Sequence, residues 1–496
     1  MGRYVLGIDQ STQGTKALLF DGEGKLLCRS DLPHEQIVDG HGWVEHDLDE
    51  IYKNTIQVVK NLVEKAGIDK ADIAVLGISN QRETAACWEK GSGRPVCHAI
   101  VWQCARGAAI CEEIGRQGHG GLVREHTGLQ LSPYFSAAKL AWVFRNVEGV
   151  KEKAQRGGIA CGTIDSFLVY RLTKGKVFRT DYSNASRTQL FNIRTLSWDE
   201  ELLGIFGIDR RCMAEVTDSD GDYGMTDFDG YLDKPIPIRG VLGDSHGALF
   251  GQGCLKKGMI KATYGTGSSI MMNIGEEPVF TDLGVVTSLA WSMGGKVNYV
   301  LEGNINYTGA VVTWLKDEVG LISSAAESEE LARQARKGDG TYLVPAFSGL
   351  GAPYWDSGAK AVICGITRTT GRAEVVKAAL DSIVYQITDI VRAMQEASGI
   401  EIGELRVDGG PTRNAYLMQF QSDMLGIPVR IPEAEELSGI GAAYAAGLSL
   451  GIYDEKIFDK MGRTSYKNEL DKEQCEGLYA GWKDAVRMVM TRSDTP

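Results

Sequence analysis

An acidic residue stands near the end of an apolar strand and is followed by a turn of small, hydroxyl-bearing residues: Arg3-Tyr4-Val5-Leu6-Gly7-Ile8-Asp9-Gln10-Ser11-Thr12-Gln13-Gly14-Thr15-Lys16. Such a turn offers backbone N–H groups and hydroxyls without bulk, which suits a polyphosphate. Asp9 is placed to face a magnesium ion that the phosphates also hold. A similar segment returns at mid-chain, Ile260-Lys261-Ala262-Thr263-Tyr264-Gly265-Thr266-Gly267-Ser268-Ser269-Ile270-Met271-Met272. Two such units point to two related halves around one nucleotide. Either unit alone reads equally as an ordinary β-hairpin. A third apolar run, Leu405-Arg406-Val407, ends in Asp408-Gly409-Gly410, and a fourth, Gly240-Val241-Leu242-Gly243, ends in Asp244.

The other phosphate-binding patterns are absent. There is no G-x-x-x-x-G-K-[ST], and no G-x-G-x-x-G stands between a strand and a helix. These absences argue against P-loop and Rossmann nucleotide sites. The chain has 496 residues, enough for two to four domains with proper cores. Lys+Arg 53 against Asp+Glu 65 leaves −12, which does not suggest a nucleic-acid surface. The ten cysteines form no CxxC pair and no zinc spacing, so reduced thiols and a cytoplasmic location are expected. Cys97, Cys104 and Cys111 recur every seven residues and read as small core positions of a helix. The N-terminus enters a strand with no basic and apolar leader, so no signal peptide is expected. No apolar run suffices to span a bilayer.

The elements that must position these residues alternate. Strands are predicted at 3–8, 15–21, 25–32 and 73–79, with Asp21-Gly22-Glu23-Gly24 as a hairpin turn. A helix is predicted from Asp47 to about Ala66, with acids in its first turn, and others at 106–116, 136–147 and about 414–425. Strands beside long helical patterns imply an α/β fold. The Gly-rich stretch around 240–258 suggests a boundary near 252 and domains at 1–252 and 253–496.

Longer stretches carry a resemblance. The segment Tyr134-Phe135-Ser136-Ala137-Ala138-Lys139-Leu140-Ala141-Trp142-Val143-Phe144-Arg145-Asn146 fits one signature of the FGGY family of carbohydrate kinases. Ala361-Val362-Ile363-Cys364-Gly365-Ile366, with Glu374-Val375 and Ala378-Ala379-Leu380-Asp381, meets a second. Gly42-Trp43-Val44-Glu45-His46-Asp47, Asn80-Gln81-Arg82-Glu83-Thr84, Ile100-Val101-Trp102-Gln103-Cys104 and Asp181-Tyr182-Ser183-Asn184-Ala185-Ser186-Arg187 look like glycerol kinases within that family. The resemblance covers nearly the whole chain.

The resemblance implies two actin-like (ribonuclease-H-like) ATPase domains with the active site in the interdomain cleft. It implies transfer of the ATP γ-phosphoryl group to a hydroxyl of a small polyol or sugar. It assigns Asp244 as the catalytic base and Asp9, with Asp244, to Mg²⁺. Arg82 and Glu83 become the acceptor-gripping pair, since a guanidinium donates to hydroxyl oxygens while a carboxylate accepts hydroxyl protons. Tyr134 becomes a phenol bonding the acceptor, and Trp102 an apolar wall. ATP contacts carry over as Thr12, Gln13, Gly14, Lys16, Thr266, Gly309, Thr313, Gly410 and Asn414. Homodimers or homotetramers are a family expectation. A nucleotide-gated interaction protein of the same fold is the rival class, and the Arg82-Glu83 pair, Tyr134 and Asp244 favour the kinase.

Departures from the glycerol-kinase pattern touch the acceptor pocket. Ser245 stands where Gln is usual and Ser269 where Phe is usual, which predicts a roomier, more polar pocket and a four- or five-carbon polyol or ketose as acceptor. Glycerol is the alternative. Thr313 replaces a Gln, which weakens the case for a direct bond to the nucleoside there. The stretch Phe228-Asp229-Gly230-Tyr231-Leu232-Asp233-Lys234-Pro235 lacks the Gly cluster of a sugar-bisphosphate loop, so no such inhibition is expected.

Overall fold

The structure is a computed structural model and describes residues 3–491. Two sheets organise it. The first runs Met225–Thr226, Ile236–Gly243, Ile73–Asn80, Tyr4–Gln10, Gly14–Phe20, Leu26–Pro33 in spatial order. Tyr4–Gln10, Ile73–Asn80 and Ile236–Gly243 are parallel, whereas Gly14–Phe20 and Leu26–Pro33 continue as an antiparallel meander. The second sheet repeats the plan. Ile260–Tyr264 lies antiparallel to Ser268–Gly275 and parallel to Leu405–Asp408, which is itself parallel to Val429–Pro432. Lys296–Ile305, Val286–Met293 and Arg463–Tyr466 complete seven strands.

The strands that read as apolar runs are buried on both faces, as a parallel sheet covered by helices requires. The helix Leu48–Ala66 starts at Asp47, whose side chain accepts the N–H of Asp49, and stops at Gly67 in the left-handed region. Its Ile51, Val58, Val59 and Leu62 pack into the first core with Leu6, Ile8 and Ile78.

A glycine row explains how the halves interlock. Gly7, Gly77 and Gly240 are neighbours in register across three parallel strands. A Cβ on Gly77 or Gly240 would overlap the carbonyl of Ala442. The missing side chains let the Gly- and Ala-rich helix Leu437–Ser449 lie directly on the first sheet, although it comes from late in the chain. Among the described residues no helix is long and apolar enough to cross a membrane.

One expectation fails. Of the heptad-spaced cysteines only Cys111 lies on a helix, Ala108–Arg116. Cys97 and Cys104 sit in turns, and Cys104 Sγ accepts from Arg106 Nε at 3.2 Å. A spacing of seven is no evidence for a helix when Gly and Pro flank it, as Gly93 and Pro95 do here. All ten cysteines are free thiols.

Candidate active site

Three parallel strands of the first sheet end at one edge. Asp9 pairs with Ser79, and Gly243 with Asn80, so the residues at and just past these positions converge. Ligand groups collect outside the carboxyl ends of parallel strands for this reason. Asp9 is the penultimate residue of its strand, Arg82 and Glu83 follow the second, and Asp244 follows the third. Asp244 opens the helix Asp244–Gly251, where its Oδ1 accepts the N–H of Ser245 at 2.6 Å. Its side chain keeps 34% exposure toward the cleft, so a reactant can reach it.

Arg82 Nε lies 3.2 Å from Asp244 Oδ1. The guanidinium is nearly buried; burial opposes its charge, but Glu302, Glu83 and Asp244 outweigh it and keep the group protonated. Glu83 adopts φ 58, a left-handed conformation that costs a non-glycine residue of order 1 kcal/mol. Arg187 holds it there, donating from Nε to Glu83 Oε1 at 2.6 Å. The Arg82-Glu83 pair is therefore a buried part of the cleft floor, not a surface ion pair.

Asp9 is buried, and Ser79 Oγ donates to it at 3.1 Å. Burial pushes its carboxyl up to about 6; Lys16 opposes this, and the charges of Asp244 and Glu436 add to it. Lys16 Nζ sits 2.8 Å from Glu436 and 4.0 Å from Asp9 Oδ2. The cation expected on the phosphates is thus tied to a carboxylate at the start of the helix Leu437–Ser449. Gln13 is exposed, Thr12 is half-buried, and a Cβ on Gly14 would press on the Leu32 carbonyl.

Trp102 links two parts of the site. Its Nε1 donates to Thr12 Oγ1 at 3.0 Å, and its ring meets Tyr134 edge-on at 5.5 Å. The Tyr134 loop is anchored from below. Lys139, buried in the helix Ser136–Asn146, donates Nζ to the carbonyls of Pro133, Tyr134 and Phe135.

The second sheet presents the turn Tyr264–Ser268. Gly309 N–H donates to Gly265 O at 2.9 Å, and Ala310 N–H to Thr266 O at 3.1 Å, so the helix Gly309–Asp317 starts on this turn. Gly309, Thr313, Gly410 and Asn414 line one cavity of about 690 Å³, together with Lys316, Glu329 and Arg413. The four nucleoside positions expected from sequence, dispersed over a hundred residues, meet there. Thr266 lies exposed at the turn. Ser269 pairs with Thr263 on one side and Asn304 on the other, and its Oγ is buried without a hydrogen-bond partner. Ser245 is half-buried beside Asp244.

Several residues of the site were not anticipated. Glu302, Arg187, Lys139, Lys261 and His246 are all buried. Arg187 and His246 lie among polar neighbours, but Glu302, Lys139 and Lys261 each stand as a single charge in an apolar or small-residue stretch, for example Val300-Leu301-Glu302-Gly303. That was the available signal, since a charge in such a run requires a partner.

Among the described residues no group of three or more His, Cys, Asp or Glu side chains forms a ready cage. Mg²⁺ is held by one or two carboxylates with phosphate oxygens and water. Asp9 and Asp244 supply hard oxygen donors, and the raised Asp9 carboxyl is one whose charge a nearby cation would stabilise. The residues fit.

Comparison with known proteins gives the family. Residues 4–251 match the N-terminal domain, and residues 260–450 the C-terminal domain, of the FGGY family of carbohydrate kinases. The chain is 50% identical over 491 residues to glycerol kinase 1 of Thermotoga maritima, covering 98% of this chain and 100% of that protein. It is 47% identical over 493 residues to a glycerol kinase of Caldanaerobacter subterraneus, covering 99% of each. The crystal structure of Plasmodium falciparum glycerol kinase with ADP superposes with a TM-score of 0.93 at 34% identity, covering 99% of this chain and 98% of that one. A xylulose kinase from Lactobacillus acidophilus shares the fold, with a TM-score of 0.87 at 19% identity and coverage of 98% and 97%.

Proposed function

The chain belongs to the FGGY family of carbohydrate kinases, phosphotransferases that act on an alcohol group, and we propose from that premise that it transfers the γ-phosphoryl group of ATP to glycerol, giving glycerol 3-phosphate. The observation that carries glycerol is the match at 50% identity, end to end, with a protein named glycerol kinase 1. The expectation of a four- or five-carbon acceptor finds no support in the relatives at 47% and 50% identity, both named glycerol kinases.

The chemistry follows from the cleft. Arg82 donates to acceptor oxygens, and Glu83 accepts hydroxyl protons, so adjacent hydroxyls are gripped from both sides. Tyr134 bonds an acceptor hydroxyl through its phenol, and Trp102, edge-on to it, walls the carbon chain. The turns at 9–16 and 264–268 supply N–H and hydroxyl donors to the polyphosphate, with the nucleoside in the cavity beside Gly309, Thr313, Gly410 and Asn414. Asp9 and Asp244 would hold Mg²⁺, which when bound neutralises charge on the phosphates. Asp244 accepts the proton of the attacking hydroxyl as the acceptor oxygen bonds to the γ-phosphorus. The bond to the β-phosphate oxygen breaks in line, and ADP leaves with that electron pair. Closure of the halves about the segment near Gln252 excludes water and limits wasteful hydrolysis.

A second reading keeps a larger polyol or ketose. It rests on Ser269, whose buried Oγ lacks a partner where the family resemblance places a phenyl ring. One experiment decides between the two. ADP release is measured with glycerol, tetritols, pentitols and pentuloses. A kcat/KM for glycerol above that of every other compound supports the first reading, and a higher value for any larger acceptor overturns it.

A further inference from the structure

Glu302 lies on the strand Lys296–Ile305 of the second sheet and is 0% exposed. It reaches across to residues delivered by the first half of the chain. Arg82 approaches end-on, with Nη1 and Nη2 donating to Glu302 Oε2 and Oε1 at 3.1 Å each. Arg187 Nη1 donates to Oε2 at 2.8 Å, and Asn304 Nδ2 to Oε1 at 3.1 Å. Burial works against this carboxylate, but the two guanidiniums outweigh burial and hold it well below the usual carboxylate range. The result is a chain of alternating charges: Asp244, Arg82, Glu302, Arg187, Glu83. Its two ends are the base and the acceptor-gripping carboxylate.

The end-on grip decides which donors of Arg82 remain. It consumes one hydrogen on each terminal nitrogen and leaves the Nε edge turned toward Asp244. Arg82 Nε is buried near that carboxylate without a formed hydrogen bond. A guanidinium released from Glu302 would be free to turn its paired donors onto Asp244, occupying the base with a bidentate ion pair. Arg187, relieved of the same partner, would lose the contact that fixes its guanidinium between Glu302 and Glu83, and with it the fixed placing of the Glu83 carboxylate.

We propose that Glu302 is a positioning residue: from the second half of the protein it aligns Arg82 and, through Arg187, Glu83, so that the acceptor site is complete only when both halves contribute. This rests on Arg82 and Glu83 gripping the acceptor, and not on which polyol the acceptor is.

The test is Glu302→Gln in the full chain, assayed with whichever acceptor the wild type uses best. The acceptor KM is expected to rise at least tenfold and kcat to fall, while the KM for ATP and the Kd for ADP stay within twofold. Arg187→Lys, which keeps the charge and loses the fork, is expected to show the same split more weakly. A folded Glu302→Gln enzyme whose acceptor KM stays within twofold of wild type overturns the proposal. So does an equal rise in both KM values, the mark of a general structural defect. If Glu302→Gln is not recovered folded, Arg187→Lys is judged by the same two criteria. A wild type that phosphorylates no acceptor overturns the acceptor reading itself, and the proposal with it.

Discussion

Lys16 Nζ lies 2.8 Å from a carboxylate oxygen of Glu436, 420 residues later in the chain. The contact ties the first phosphate turn to the start of the helix Leu437–Ser449, which rests on the glycine row of the first sheet. Glu436 also holds Arg29, so one carboxylate serves two cations. Lys16→Ala is expected to raise the KM for ATP about tenfold, the equivalent of one partly screened charge contact of about 1.4 kcal/mol. Glu436→Gln is expected to raise it less and to lower Tm as well, because two cations lose their partner. Steady-state kinetics and thermal melts separate the two effects; an unchanged KM for ATP in Lys16→Ala would remove that residue from the phosphate site.

Asp244→Asn is expected to cut kcat by about 10²- to 10⁴-fold, the usual loss of a positioned base. KM values should change little, because the amide retains the size and most of the contacts. Stability should also hold, since the side chain is partly exposed. Retention of wild-type kcat would show that the base lies elsewhere.

Ser269→Phe fills the space beside Asn304 with a ring. Selectivity for glycerol over tetritols, measured as the ratio of kcat/KM values, is expected to rise about tenfold or more, within the 1–3 kcal/mol that apolar fit commonly contributes. A ratio unchanged by the substitution would place Ser269 outside the acceptor pocket.

Asp165 gives a pH dependence of stability. Burial raises its carboxyl to about 7, with the Asp181 charge adding to this and the hydroxyls of Thr163 and Thr180 opposing it. The folded chain therefore holds a proton that the unfolded chain, with an ordinary value of 3.8, releases. Between about pH 4 and pH 7 the native state binds more protons, so this contribution to stability falls as pH rises and is gone above about 7. Asp165→Asn lacks the effect. Relative to wild type, the variant should gain about 1–3 kcal/mol between pH 5 and pH 8 in urea unfolding. A wild-type-minus-variant difference that does not move with pH contradicts the assignment.

Fructose 1,6-bisphosphate is expected to leave activity unchanged. The stretch Phe228–Pro235 lies beside Asp227 and carries Asp229 and Asp233, and it is pinned from Tyr52 Oη to Asp229 at 2.9 Å and from Lys70 Nζ to Asp233 at 2.9 Å. A bisphosphate would meet these carboxylates. A clear fall in rate at millimolar effector would show a site that this stretch does not exclude.

Local chemistry was legible along the chain. The hairpins at 4–20 and 260–275 follow from apolar strands around Gly-rich turns, and the strand ends at Asp9, Asp244 and Asp408 from apolar runs that stop at an acid. The helix Leu48–Ala66 follows from its Asp47 cap and Gly67 stop. The cysteine heptad misled, because turn-forming residues around it broke the pattern that spacing alone suggested.

The sequence by itself determined that the protein has two matching strand–turn–strand units and a set of carboxylates at strand ends, because these depend on neighbours within a few residues. Only the tertiary structure decided their partners. Glu302 finds Arg82 across 220 residues, Arg187 finds Glu83 across 104, and Lys16 finds Glu436 across 420. A buried charge must be paired, but its identity in sequence does not say with what. The docking of the late helix Leu437–Ser449 on the first sheet, admitted by bare glycines, makes that choice.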